Sequence, residues 1–206
     1  MDNHTDYSLA RTIMTDSMIG KEELRGAKGI NLATDGLLPE IKFSPIDLEE
    51  KKEHYYLILG IDKFADGSDV TIRNMIELFG KDPFLREPCF YNQDWYDNER
   101  FIDIPMKREW FLIRKQVYED SRSRQPQVLK ERYRFPSAIV CAYSFFVAWL
   151  SLGVKLWYHD YVWCSDEDHN GDRIYVGKYH DVEGINKNGF SIHRHLSLRD
   201  CYGCID

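Results

Sequence analysis

The sequence predicts an α+β fold. An antiparallel sheet of about four strands (110–117, 155–165, 173–180 and 190–197) packs on one long buried helix over 136–152, with a mainly helical part before it. Three observations carry this expectation. "FPSAIVCAYSFFVAWLSLGV", residues 135–154, holds no charged side chain although 30% of the chain is charged. Asn170-Gly171, flanked by short aromatic and β-branched runs, is the strongest short hairpin signal, because both residues tolerate the positive φ of a type I′ turn. The 206 residues are 43% hydrophobic and 14% aromatic, enough to bury a core and to exclude a disordered chain. One domain is expected: an acidic part over 1–104, with an aromatic loop at 82–105, joined to an α+β core over 105–206.

Taken in order, residues 1–40 suggest short helices and loops. At "SPIDLEEKKEHYYLILG", Ser44 reads as an N-cap with Pro45 at the first helical position. The following "YYLILGI" either finishes that helix at Gly60 or begins a buried strand, and periodicity does not decide between them. In "DGSDVTIRNMIELFG", Thr71 or Asp69 caps a helix whose apolar face is Ile72, Met75, Ile76 and Phe79, and Gly80 stops it. The stretch 82–105 is rich in Pro, Asn and Asp, and its Phe90, Tyr91, Trp95, Tyr96 and Phe101 serve either as core plugs or as a binding platform. "EWFLIRKQV" reads as a strand, "QPQVLKERY" as a short helix, and "KLWYHDYVWC", "RIYVGKY" and "FSIHRHLSL" as further strands.

On the long helix, Ser137, Cys141, Ser144, Ala148 and Ser151 form a stripe of small residues, while Tyr143, Phe146, Val147 and Leu150 are among the bulky ones. No face is strongly polar, so the helix must be surrounded on all sides. A membrane span needs about 20 apolar residues. Three serines and a terminal Gly153 leave this run at the lower limit, and the flanking Arg132, Arg134 and Lys155 give little orientation signal. A helix buried in protein is therefore expected, with no membrane partner.

The formal net charge of −7 is unevenly spread: residues 107–134 hold nine Lys and Arg against four Asp and Glu, whereas 1–106 are acidic. An acidic protein with one basic segment is a poor general nucleic-acid binder. The basic segment, with Arg114, Lys115, Arg122, Arg124, Lys130, Arg132 and Arg134 around Trp110 and Tyr133, still suits phosphates or an acidic partner. Five cysteines, an odd number, and a start without a basic and apolar leader suggest a cytoplasmic protein with reduced thiols.

Two stretches invite a metal reading, with Zn, Ca or Mg as the ion. In "CSDEDHNGDRIYVG", Asp166, Asp168, Asn170 and Gly171 match the start of a calcium loop, but the bidentate position is Gly177 and the eighth is Arg173. The hairpin accounts for more, pairing Asp168 with Arg173, Asp166 with Tyr175 and Cys164 with Gly177 across the strands. In "FSIHRHLSLRDCYGC", Ser191, His193, His195 and Ser197 share one strand face. That face is either a metal site completed by Cys201 and Cys204 or a polar solvent face. His159 and His180 join it if their strands are adjacent. Ser121 lies in an exposed connection without a partner base at informative spacing. No phosphate loop, dinucleotide fingerprint, nucleophile elbow, HExxH or internal repeat is present.

The leading expectation is a protein-interaction or ligand-binding module, more a binder than an enzyme. It engages a protein partner or a second copy of itself through Trp95, Tyr96 and Tyr91, with Arg114, Arg122 and Arg124 as further contacts. The competing expectation is a metal-dependent hydrolase or nuclease using Asp166, Asp168, His193 and His195.

Overall fold

The computed structural model describes residues 4–180, 188–194 and 198–206. Its architecture is mixed α and β, with two small sheets rather than one. In the first half, α1 (Tyr7–Met14) is capped by the Asp6 carboxylate, which accepts the Leu9 amide at 2.9 Å. It leads through β1 (Met18–Ile19) into α2 (Lys21–Gly26). Ser44 caps α3 (Pro45–Lys51) as expected: its hydroxyl accepts the Asp47 amide while the Asp47 carboxylate returns to Ser44. Such a reciprocal cap satisfies two donors that a helix start otherwise leaves unpaired.

The ambiguous "YYLILG" is strand β2 (Tyr55–Leu59), and all five of its residues are buried. A continuous apolar run without alternation is what a strand covered on both faces requires. Its neighbours are β1, in parallel, and β3 (Trp110–Arg114), antiparallel from Tyr55↔Arg114 to Leu59↔Trp110. The N-terminal part has more helix than strand, and it also supplies two of the three strands of this sheet. Between β2 and β3, α4 (Ile72–Phe79) runs from a Thr71 cap to Gly80, whose φ of 72° ends it.

The second sheet has the order β6-β5-β4-β7, built from β4 (Tyr161–Glu167), β5 (Arg173–Gly177), β6 (Ser191–His193) and β7 (Tyr202–Gly203). It departs from the expected four-stranded sheet in three ways. The 110–117 strand is β3 of the other sheet, because the buried backbone of β2 needs a partner along its second edge. Its place is taken by β7, which pairs with β4 in parallel. Residues 155–160 are not extended. Trp157 adopts a φ of 45°, and its buried indole donates to the Arg114 carbonyl at 3.2 Å, so the chain turns there and the strand starts at Tyr161. Strands β5 and β6 are also shorter than expected, and 195–197 lie outside the described residues.

The hairpin also differs in register. The Asp168 amide donates to the Asp172 carbonyl at 2.9 Å and the Gly171 amide to the Asp168 carbonyl at 3.0 Å, which closes the turn at Asp168 and Asp172, and of the turn residues only Gly171, with φ 84°, is left-handed. This is a three-residue loop ending in a glycine bulge rather than the two-residue type I′ turn. Pairing is Glu167↔Arg173 and Trp163↔Tyr175, with an irregularity between them.

The helix α6 (Ala138–Leu152), preceded by the short α5 (Pro126–Leu129), starts at a Ser137 cap and ends at left-handed Gly153. It contacts β1 of the first sheet and both β4 and β5 of the second. Every residue from Cys141 to Ala148 is buried. Its small residues admit close neighbours, and the Cys141 and Cys164 sulfurs lie 4.0 Å apart across helix and strand. Its aromatic residues fill the wider gaps: Phe146 lies 4.4 Å from Phe79 and 4.8 Å from Phe90, and Phe145 lies 4.9 Å from Phe190. On the other side, the Tyr143 hydroxyl donates to the Leu59 carbonyl of β2 at 2.9 Å. Among the described residues no helix is long and apolar enough to cross a membrane.

Candidate functional site

Among the described residues, the predicted Asp166, Asp168 and His193 do not come together in one cluster. Asp166 lies on β4 and Asp168 just past its end, and they serve different ends. The Asp166 carboxylate accepts the Ala138 amide at 2.6 Å, capping α6 beside Ser137. Burial holds this carboxyl above its ordinary range, against the pull of the Ala138 amide. Asp168 is buried in the turn it organises, accepting the Asn170 and Asp172 amides at 2.8 Å each and the Arg194 guanidinium. Burial works to raise the Asp168 carboxyl, but the Asp172 amide, Arg194 and the Asn170 amide outweigh it and hold it below the usual carboxylate range. The expected ion pair of Asp168 with Arg173 is replaced: Arg173 reaches Glu167 at 2.5 Å.

A residue outside the expected set completes this cluster. Glu99, buried at the end of the aromatic loop, accepts the His169 amide at 3.0 Å and lies 2.5 Å from His169 Nδ1. Arg194 is 3.6 Å from the same carboxylate and stands 4.5 Å over the Trp95 ring. Glu99, Asp168 and His169 bring ligand atoms within 4.8 Å of one another. Arg194 already occupies the space between the two acids as their counter-cation, so the group ties the hairpin tip to the loop 82–105. Neither Asp166 nor His193 belongs to it.

His193 is half-buried on β6, beside Gln93 Nε2 at 2.9 Å and among the rings of Tyr161 and Tyr175 at 5.5 and 6.0 Å. Burial, with Lys178 adding to it, pushes its pKa down to about 4. Of the expected face, Ser191 is buried and His193 half-buried, while His195 and Ser197 lie outside the described residues. Cys201 and Cys204 are free thiols whose pKa values burial raises, Cys204 to about 11.

The aromatic loop is chiefly a plug. Phe90 and Tyr96 are fully buried and Phe101 nearly so, which removes Tyr96 as an exposed anchor. Trp95 is half-buried, its indole donating to the Ile192 carbonyl at 3.0 Å, and Tyr91 is half-buried beside His193. Trp95 is thereby committed to holding β6.

The basic stretch divides. Arg122 is spent on Asp160 at 2.7 Å and Glu119 at 2.9 Å, Arg114 lies 3.9 Å over the Tyr118 ring, and Lys115 donates to Ser17 and to two carbonyls. Arg124 is exposed and lies away from any concave surface described below. The two ends of the stretch, by contrast, come together. A groove of about 1180 Å³ runs between β3 and the start of α6, with Phe111, Leu112 and Ile113 on one wall and Ser137, Ile139 and Val140 on the other. Lys42, Lys51, Lys107, Arg132 and Arg134 surround it, against Glu109 and Asp206. Arg132 pairs with Asp120 at 2.5 Å, while the other four cations make no ion pair among the described residues. At one end Asp206 accepts the Tyr55 and Tyr118 hydroxyls at 2.6 and 2.8 Å.

Lys42 and Lys51 were invisible as site residues because they come from the acidic half. Only the pairing of β2 with β3 carries them to the basic stretch. No protein-family model, curated protein or solved structure matches the chain.

Proposed function

We propose that the chain is a protein-interaction module whose working surface is the groove between β3 and α6, and that its partner is acidic. The observation that carries this is the convergence of Lys42, Lys51, Lys107 and Arg134, none of them ion-paired among the described residues, around apolar walls. A concave surface with an excess of one sign of charge, here five cations against Glu109 and Asp206, focuses field lines and steers an oppositely charged partner. Apolar walls supply the affinity that exposed charges alone do not. Binding is favoured over metal-dependent hydrolysis by the commitments already described: Asp166 caps a helix, and Asp168 is held by a guanidinium that competes with any cation.

The test is titration of the protein with a fluorescein-labelled acidic peptide, read by anisotropy. Saturable binding that weakens with salt is expected. Because Lys107 and Arg134 are exposed and make no ion pair among the described residues, K107E/R134E should fold normally and lose binding at least tenfold. Binding that is absent at low ionic strength, or unchanged in K107E/R134E, would overturn the proposal.

A further inference from the structure

The backbone of β3 indicates how the partner is held. In the β2 and β3 ladder, the Gly60 amide donates to the Glu109 carbonyl and the Lys115 amide to the His54 carbonyl. Hydrogen-bonded pairs recur every second residue in an antiparallel ladder. Odd-numbered residues from 109 to 115 therefore direct their N–H and C=O groups to β2, and Trp110, Leu112 and Arg114 direct theirs the other way. In the order β1-β2-β3 nothing follows β3 among the described residues. The Arg114 carbonyl accepts the Trp157 indole, but the Leu112 N–H and C=O have no partner there, and Leu112 lines the groove.

We infer that β3 receives an extended acidic segment of a partner protein as an added strand, with Leu112 as the central rung. This rests on the groove reading above and specifies its mode. An exposed strand edge is a template for another chain, since each rung offers one donor and one acceptor. That chemistry separates a polypeptide from a nucleic acid. A phosphate backbone brings acceptors only and leaves the Leu112 carbonyl unsatisfied, whereas a peptide backbone satisfies both groups. Alternation then assigns the side chains: successive residues of the added strand point to opposite faces, so one set lies on the apolar walls and the other meets Lys107, Arg134 and their neighbours.

The experiment uses the unmodified protein and a labelled nonapeptide of alternating Glu and Val, with two derivatives N-methylated at one or the other alternate set of backbone amides. A repeating peptide cannot slip by one residue without exchanging its Glu and Val faces. Only one set of amides therefore faces β3. Methylating that set should weaken binding roughly tenfold or more, as expected for losing about two hydrogen bonds, and methylating the other set should change it less than about threefold by the same scale. Protection of the Leu112 amide from hydrogen exchange should rise on binding. Equal losses from both sets, with K107E/R134E still abolishing binding, would overturn strand addition and leave the groove reading standing. No binding of the parent peptide would overturn both. Tighter binding of a single-stranded oligothymidylate of the same charge would assign the groove to nucleic acid and overturn strand addition.

Discussion

Replacing Arg194 with leucine is expected to destabilise the protein by about 3 kcal/mol. The figure is built from the contacts of one guanidinium. Its hydrogen bond to the buried Asp168 carboxylate is charge-assisted and contributes about 1.5–3 kcal/mol. Its position 4.5 Å over the Trp95 ring adds about 1 kcal/mol, and the 3.6 Å approach to Glu99 adds less. Asp168 retains two amide donors at 2.8 Å, which keeps the loss at the low end of what breaking a buried pair costs, about 3–5 kcal/mol. For a chain of this size the melting temperature should fall by about 10 °C. Urea denaturation of R194L, D168N and the double variant closes a cycle, because D168N keeps the acceptor that organises the turn but removes the charge. The two losses should fall short of additivity by at least 1 kcal/mol or so. The pH profile gives a second reading. A carboxyl held below its usual range contributes stability that is complete above the ordinary aspartate value and is lost as pH falls through the depressed one. R194L should flatten that acid-side slope. Additive losses, or an unchanged slope, would refute the view that Arg194 neutralises Asp168.

Two further expectations concern residues read from the sequence as site candidates. Trp95→Ala should cost roughly 3 kcal/mol or more of stability, as core aromatic truncations do, with little change in acidic-peptide affinity; weakened binding at unchanged thermal stability would return Trp95 to the interface. His193, with its pKa pushed down from 6.5 to about 4, stays neutral in the fold while the unfolded chain takes up a proton. Its contribution is therefore complete above pH 6.5 and lost between 6.5 and 4, on the order of 3 kcal/mol. His193→Leu should remove this slope from urea-derived stability measured across that window, and a slope that persists would place the titrating group elsewhere.

Local chemistry explains which elements were legible. The caps at Ser44 and Thr71, and the stops at Gly80 and Gly153, satisfy or terminate a helix within a few residues of themselves, and the uncharged run 135–154 marks the buried helix, so sequence alone located those helices. Strand partnership is different, because it depends on backbone groups far apart in the chain. "YYLILG" and "WFLIR" both carry strand-like residues, but nothing in either says that each is the other's neighbour. The hairpin register failed for a related reason: Asp168 accepts two amides of its own turn, which stabilises a three-residue loop that the Asn170-Gly171 signal does not reveal. The candidate metal residues come from spacing within two separate stretches, whereas Glu99 and Arg194 reach the hairpin tip from elsewhere in the chain. The basic stretch was visible as charge, yet the groove could not be drawn until β2 delivered Lys42 and Lys51 to it.

The placement of α6 has a consequence for biosynthesis. The three strands of the first sheet have all been translated by Arg114, but the helix that covers them is not complete until Leu152. For that interval the nascent chain lacks the helix that packs on this sheet in the finished fold, and it shares the hazards of an incompletely covered strand surface. A ribosome that stalls between these points releases a product that calls for a chaperone or a protease.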